Sequence, residues 1–320
     1  MSVLVTGGAG YIGSHIARHL QLRGDRVLVA DDLSTGVAAR IRGVPLLQID
    51  LTSRRAVGEL KRWMTEHAVT SVIHMAARKR VDESIAEPLA YYRDNLLSLA
   101  NTLRAATLAS VERIVFSSSA AVYGSPNGVV DEDAPCEPGN PYGRTKLAGE
   151  WMVADDARAQ GRRAVSLRYF NVAGAQWPEL ADTTRANVVP IVLDRVRRGL
   201  APEIYGSDYD TPDGTCVRDY VHVGDIAEAH VAVLDALDTQ TLPHRVFNVG
   251  TGVGTSVREL VDGVRRRVAA SPEPVYRPRR PGDASRVVAA VGQIESEIGW
   301  RASRTLDDIL DSACEASGTP

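Results

Sequence analysis

Tyr142 and Lys146 lie four residues apart in Asn140-Pro141-Tyr142-Gly143-Arg144-Thr145-Lys146. On a helix that spacing puts both on one face. Asn140 can cap such a helix, and Pro141 suits its first turn. A lysine ammonium beside a phenol favours the phenolate and brings its pKa toward the working range. A tyrosine so placed can take a proton from a hydroxyl while hydride leaves the same carbon. Ser119 follows the apolar run Ile114-Val115-Phe116, upstream of Tyr142. There it can hydrogen-bond the reacting oxygen and hold it beside the phenol. The chemistry these three residue types support is alcohol oxidation and carbonyl reduction.

A hydride needs a carrier, and the N-terminus offers a place for one. Val3–Val5 is a short apolar run, followed at three-residue steps by Gly7, Gly10 and Gly13 and then by the helical pattern Ile12-x-x-x-Ile16-Ala17-x-x-Leu20. Glycines let the turn bend and let the backbone approach a pyrophosphate, while the helix N-terminus offers free N–H groups and positive dipole charge. A second apolar run, Val27–Ala30, ends at Asp31, eighteen residues after Gly13. A carboxylate at that spacing meets an adenosine ribose 2′-hydroxyl and repels a 2′-phosphate, which selects NAD over NADP.

These groups must be held by a scaffold, and the first half of the chain alternates strand-like and helical patterns. Strand-like runs are also predicted at Pro45–Ile49, Ser71–His74, Arg113–Ser117 and Ala164–Tyr169, with helices around 53–66, 87–108 and 141–160 between them. Such alternation predicts an α/β fold with a doubly wound parallel sheet, whose ligands lie at the carboxyl ends of the strands. The second half is less regular. Residues 172–222 read as loops around a helical stretch near 187–198; Asp225–Leu237 reads as helix and Arg245–Val249 as a returning strand. The pattern predicts a first domain over 1–171, with returning segments near 223–250, and a smaller interleaved domain over 172–320.

Composition excludes several classes. The chain has 320 residues and a net charge of −3, without a basic block, so nucleic acid is not an expected partner. No apolar run is long enough for a membrane span, and no signal peptide is evident. Cys136, Cys216 and Cys314 have no CxxC spacing, which suits a reducing cytoplasm. No metal is expected: no His/Cys/Asp cluster has ligand spacing, and His74 and His222 read as packed core histidines.

The order glycine loop, strand-end acid, strand-end serine, Tyr-x-x-x-Lys resembles the extended short-chain dehydrogenase/reductase superfamily, and within it the UDP-galactose (UDP-glucose) 4-epimerases. The resemblance runs through Val-Thr-Gly-Gly-Ala-Gly-Tyr-Ile-Gly-Ser-His (5–15), Tyr-Tyr-Arg-Asp-Asn (91–95), Phe-Ser-Ser-Ser-Ala-Ala-Val-Tyr-Gly (116–124), Pro-Tyr-Gly-Arg-Thr-Lys (141–146) and Arg-Tyr-Phe-Asn (168–171). It continues through Asp-Gly-Thr-Cys-Val-Arg-Asp-Tyr-Val-His-Val (213–223) and Pro-Arg-Arg-Pro-Gly-Asp (278–283). It implies a Rossmann-like fold, NAD as cofactor, a UDP-sugar substrate and a homodimer. Ser119, Tyr142 and Lys146 are then the catalytic set. Gly7, Gly10, Tyr11, Ile12, Gly13, Asp31 and Asp32 would surround NAD from one side. Asp50, Leu51, Ala76, Ala77, Lys79, Asn95, Ser117 and Tyr169 would join Tyr142 and Lys146 around the rest of it. Substrate contacts would come from Lys79, Ser119, Ala120, Tyr142, Asn171, Asn187 and Val188, and further from Tyr205, Arg218, Tyr220, Arg280, Asp283 and Val287. Arginines suit a diphosphate, and Asp283 can accept from ribose hydroxyls.

The loop 174–186 departs from the pattern of the best-known epimerases, reading Ala-Gln-Trp-Pro-Glu-Leu-Ala-Asp-Thr-Thr-Arg over 175–185. Val287 stands where the family tunes acceptance of N-acetylated sugars, and its small side chain implies room for an acetamido group. Pairing is implied through helices near 87–108 and 141–160, where Leu96, Leu97, Leu99 and Leu103 offer apolar surface. Three other readings compete. A 4,6-dehydratase would carry an Asp-Glu pair where this chain has Ala120 and Ala121. A UDP-glucuronate decarboxylase would want added cations for the sugar carboxylate. A non-catalytic nucleotide sensor would be expected to lose Tyr142 or Lys146.

Overall fold

The computed structural model describes residues 1–184, 187–239, 244–268, 271–280 and 282–318. The elements run β1 (Ser2–Thr6), α1 (Tyr11–Arg23), β2 (Arg26–Asp31), β3 (Leu46–Gln48), α2 (Ala56–Glu66), β4 (Ser71–His74), α3 (Val81–Ala86), α4 (Pro88–Leu108), β5 (Arg113–Ser119), β6 (Gly128–Val130) and α5 (Pro141–Gln160). They continue with β7 (Arg163–Tyr169), β8 (Asn171–Ala173), α6 (Val188–Arg197), β9 (Glu203–Tyr205), β10 (Val217–His222), α7 (Val223–Thr239), β11 (Arg245–Val249), β12 (Gly254–Ser256), α8 (Val257–Arg267), β13 (Val275–Arg277), β14 (Arg286–Ala289), α9 (Gly292–Ile298) and α10 (Leu306–Ala316).

The chain divides into two compact units. One comprises Met1–Gly124, Cys136–Arg168 and Ala227–Phe247; the other comprises Ser125–Pro135, Tyr169–Ile226 and Asn248–Pro320. The excursion 125–135 has no warning in composition, because a three-residue strand such as β6 gives no periodicity to read.

In the first unit the seven-stranded sheet has the order β11-β7-β5-β4-β1-β2-β3. Strands β3 to β5 pair in parallel, with Val3 opposite Val27 and Ser71. The order reverses between β1 and β4, so the crevice for a ligand lies beyond Thr6 and His74. One face of the sheet carries a core of Leu4, Leu28, Val72 and Phe116 packed on Leu60, Leu99, Leu103 and Val153. Leu99 and Leu103 therefore belong to the core, a correction to the expectation that they, with Leu96 and Leu97, offer apolar surface for pairing. Leu97 is left exposed and Leu96 half-buried.

Helix α5 lies unusually close to the sheet. A Cβ at Gly149 would come within 2.5 Å of the Phe116 ring, so only glycine lets the helix settle there. The Asn140 side chain caps α5 by accepting from Gly143 N at 2.9 Å.

The second unit is built on β12-β10-β14-β6, with β8 also paired to β10, and on the pair β13-β9. Its core joins α6, α8 and α10 through Val192, Leu193, Leu260, Val264, Ile309 and Leu310. Val217–His222, expected within loops, is the central strand of this sheet. Its Asp219, wholly buried, accepts from Thr251 N, Thr251 Oγ1, Gly252 N and Ala289 N. Four donors on one carboxylate offset the cost of burying it.

Candidate active site

In the first unit the glycine loop meets the segment after β4. Gly7 has φ +66°, and a Cβ on it would lie 2.8 Å from Ala76 N. Gly13 packs on the carbonyl of Gly7, and α1 begins at Gly10 with no side-chain cap. Its first N–H groups thus start a helix with positive dipole charge beside a glycine turn. Asp31 ends β2 and fixes this loop: it accepts from Ala9 N at 3.0 Å and from Leu33 N at 2.8 Å. Burial pushes its carboxyl pKa up, and the two backbone donors work against that. Asp32 and Asp50 are exposed and fold their own turns by accepting from Ser34 and Thr52. Tyr11 and Leu51 are buried, Ile12 half-buried.

Asn95, expected near the cofactor, bonds within the protein. Its Oδ1 accepts from Arg78 N at 2.8 Å, and its Nδ2 donates to Arg78 O and Thr145 Oγ1, each at 3.0 Å. These bonds make it a brace between α5 and the loop Ala76–Lys79. Ala77 and Lys79 stand exposed on that loop.

Three consecutive serines close β5, and α5 answers each of them from one face. Lys146 Nζ donates to Ser117 O at 2.7 Å. Ser118 Oγ donates to Glu150. Ser119 hydrogen-bonds Tyr142. Ser119 Oγ also accepts from Ala121 N at 3.2 Å, so its own proton is free to donate to the Tyr142 oxygen. Residues 142, 146 and 150 are spaced by four, the helical repeat that makes this register possible. Lys146 lies 5.9 Å from the Tyr142 ring centroid and 5.1 Å from that of Phe116. Burial lowers its pKa to about 7, opposed by the charge of Glu150. Burial raises the Tyr142 pKa, and the bond from Ser119 works against it. The arrangement holds a phenol ready to exchange a proton next to a hydroxyl and a cation.

In the second unit a group of charges and rings surrounds the Cys216 thiol, whose pKa is pushed up by burial and further influenced by Arg218, Asp283 and Arg280. Arg218 donates to Val217 O and Ala284 O at 2.9 Å and lies 3.6 Å from Asp283. The Arg280 guanidinium stacks 4.1 Å over the Tyr205 ring. Val287 pairs with Arg218 across β14 and β10. Tyr220 is buried behind this group and Asn171 exposed at the start of β8. Asn187 stands at the N-cap position of α6 without a side-chain capping bond; its amide instead donates to Asp182 at 2.5 Å. Tyr169 is buried in this unit as well.

Residues 3–250 match the NAD dependent epimerase/dehydratase family. The chain belongs to that family. Among its relatives, a UDP-glucose 4-epimerase of Azospirillum brasilense is 43% identical, covering 97% of this chain and 90% of that protein. A UDP-glucose 4-epimerase from Stenotrophomonas maltophila, solved with bound NAD and formylated UDP-arabinopyranose, superposes with a TM-score of 0.93 at 38% identity, over 99% and 98% of the two chains. One from Brucella ovis in complex with NAD gives 0.93 at 38% identity, over 100% and 99%.

The residues in the first unit fit the family's cofactor. The uncapped start of α1, the glycine turn and the strand-end Asp31 form a cradle for a dinucleotide with a free ribose 2′-hydroxyl. Sequence reasoning missed the linked group Ser118, Glu150 and Arg168 because none of them carries a motif. The four-residue step from Lys146 to Glu150 was the available signal. It also missed Tyr209, whose ring lies 4.2 Å beneath the Arg279 guanidinium.

Proposed function

We propose that this protein is an NAD-dependent UDP-sugar 4-epimerase interconverting UDP-glucose and UDP-galactose through a transient 4-keto sugar. The observation that carries the reading is the register of Ser119, Tyr142 and Lys146, formed by β5 and α5 in a member of this family. NAD, when bound, supplies the acceptor and then the donor of a hydride at the sugar C4. Tyr142 takes the 4-hydroxyl proton and later returns it. Ser119 holds the reacting oxygen beside the phenol. Lys146 supplies the positive charge that favours the phenolate. Asp31 and the glycine turn bind the dinucleotide; Arg218, Arg280, Asp283 and Asn187 bind UDP, with Tyr205 offering a ring for the base. Ala120 and Ala121, directly after Ser119, carry no group able to move a proton, which speaks against a dehydratase.

Val287 supports acceptance of UDP-N-acetylglucosamine and UDP-N-acetylgalactosamine as well. It is half-buried, small, and on the same rung as Arg218. The protein is assigned to the cytoplasm as a homodimer. None of the three cysteines forms a disulfide, as that compartment favours; among the described residues no helix is long and apolar enough to cross a membrane.

Incubating purified protein with UDP-galactose and no added cofactor tests the reading. UDP-glucose should accumulate to equilibrium, and its absence overturns the assignment. Val287→Tyr should suppress turnover of the acetamido sugars while sparing the UDP-glucose pair. Equal acceptance by the variant would refute the pocket argument.

A further inference from the structure

Beneath the catalytic face of α5 lies a buried ion pair that the proposed mechanism does not use. Arg168 of β7 donates from Nε and Nη2 to the two oxygens of Glu150 at 2.9 and 2.7 Å, a bidentate pair with both side chains almost fully buried. Its Nη1 donates to Tyr123 Oη at 2.8 Å, and its plane lies 4.8 Å over the Tyr123 ring. The fork holds Glu150 in one position. From there Glu150 accepts the hydroxyl proton of Ser118, the residue between the partner of Lys146 and the partner of Tyr142.

A buried ion pair is a weak stabiliser: replacing both members by apolar groups of similar volume is often neutral or favourable. Stability alone therefore gives little reason for this pair. Its place gives a better one. Glu150 is one helical turn from Lys146, and its charge acts on Lys146 against the effect of burial. The other groups facing Lys146 are Ser117 O, Phe116 and Tyr142, with His74 acting from β4. Ser117 O, Phe116 and His74 bear no negative charge, and burial favours the neutral form of Tyr142. Glu150 itself faces Arg168, Ser118, His244 and the Cys136 thiol.

We propose that Glu150 is a positioning residue for the proton-transfer set: clamped by Arg168, it fixes the end of β5 through Ser118 and places an anion one helical turn from Lys146. Tyr142 is then assisted by a cation that would otherwise shed its proton in so buried a place. The proposal rests on the epimerase reading for its catalytic consequence but not for the coupling itself.

Glu150→Gln removes the charge and keeps the shape. Because it strands the Arg168 charge, the pair Glu150→Gln with Arg168→Met is made beside it, restoring neutrality and packing volume. Both are compared with wild type by circular dichroism, retained NAD, and the pH profile of kcat. In the double variant we expect a normal fold, kcat lower by about tenfold to a hundredfold, and an alkaline limb moved down by about one pH unit. A second readout needs no sugar. Tyrosinate absorbance, taken as the difference from a Tyr142→Phe background, should show Tyr142 ionising at higher pH once Glu150 is neutral. A double variant with wild-type kcat, pH profile and Tyr142 titration would show that Glu150 only completes the packing around Arg168, and overturns the proposal. Activity lost in the single variant but fully restored in the double overturns it too, since the stranded arginine would then be the cause. If wild type fails to turn over UDP-sugars, the epimerase reading falls, and the Tyr142 titration still decides the coupling.

Discussion

Tyr142 is pulled in two directions. Burial favours its neutral form, while the bond from the Ser119 hydroxyl works against it, and the Lys146 ammonium lies 5.9 Å from its ring centroid. A group poised this way suits proton exchange in both directions, which an epimerisation needs and a one-way elimination does not. Removing the hydroxyl should leave the dinucleotide site intact, because the proposed cradle is Gly7, Gly13 and Asp31. Tyr142→Phe is therefore expected to retain NAD and lose roughly 10²–10⁴ in kcat, the range for a general acid–base group. Rates near wild type, measured on protein of verified NAD content, would remove Tyr142 from the mechanism. Asp31 makes a separate prediction. Its carboxylate is already fixed by Ala9 and Leu33, so it cannot swing away from a 2′-phosphate. Calorimetry should find NADP bound far more weakly than NAD, and comparable affinities would refute the role given to Asp31.

The elements carry these residues by close packing, and here the sequence was legible in part. Strands β1, β2, β4, β5, β7 and β11 and helices α1, α4 and α5 are each long enough to show periodicity or a run of β-branched residues. Their ends brought Asp31, Ser119 and Tyr142 into view. The strands of the second unit were not legible because most are three residues long, and β10 is interrupted by the charged pair Arg218-Asp219. Pairing by long-range partners, rather than local pattern, makes them strands. The clamp under α5 was hidden for a related reason: Glu150 reads as an ordinary helical acid until Arg168 is placed opposite it. Gly149 shows how tightly that helix is set. Alanine there would gain up to about 1 kcal/mol of helix propensity. Its Cβ, however, would sit 2.5 Å from Phe116, in a core where overpacking costs about 1–3 kcal/mol. Gly149→Ala should lower both the denaturation midpoint and kcat, since a displaced α5 carries Tyr142, Lys146 and Glu150 with it. An unchanged midpoint and rate would mean that Phe116 yields freely and the register tolerates the shift.

For the molecule as a whole, two properties follow from what is buried and what is not. His74 is wholly buried, and burial, aided by the Lys146 charge, lowers its pKa to about 3. The unfolded chain binds this proton below about 6.5 while the folded protein refuses it, so stability is full above 6.5 and falls as pH drops toward 3. Between pH 7 and 5 the loss from His74 is roughly 2 kcal/mol. Urea unfolding of His74→Asn should show a correspondingly flatter decline than wild type over that interval; equal slopes would mean that the imidazole protonates in the native state. The second property is association. Leu89 and Leu97 of α4 and Trp151 of α5 are exposed, Trp151 at 62%, while the opposite faces of both helices are committed to the core. Exposed tryptophan and leucine on adjoining helices are the usual anchors of a self-complementary interface, where a few such residues carry most of the binding energy. We expect light scattering at micromolar concentration to give the mass of two chains, and Trp151→Glu to halve it without changing the far-ultraviolet spectrum. The charge would have to be buried against its own symmetry mate or a neighbouring apolar side chain, at a cost that a standard-sized interface cannot absorb. A monomeric wild type, or a variant that remains paired, would show that these side chains are simply solvent-exposed surface.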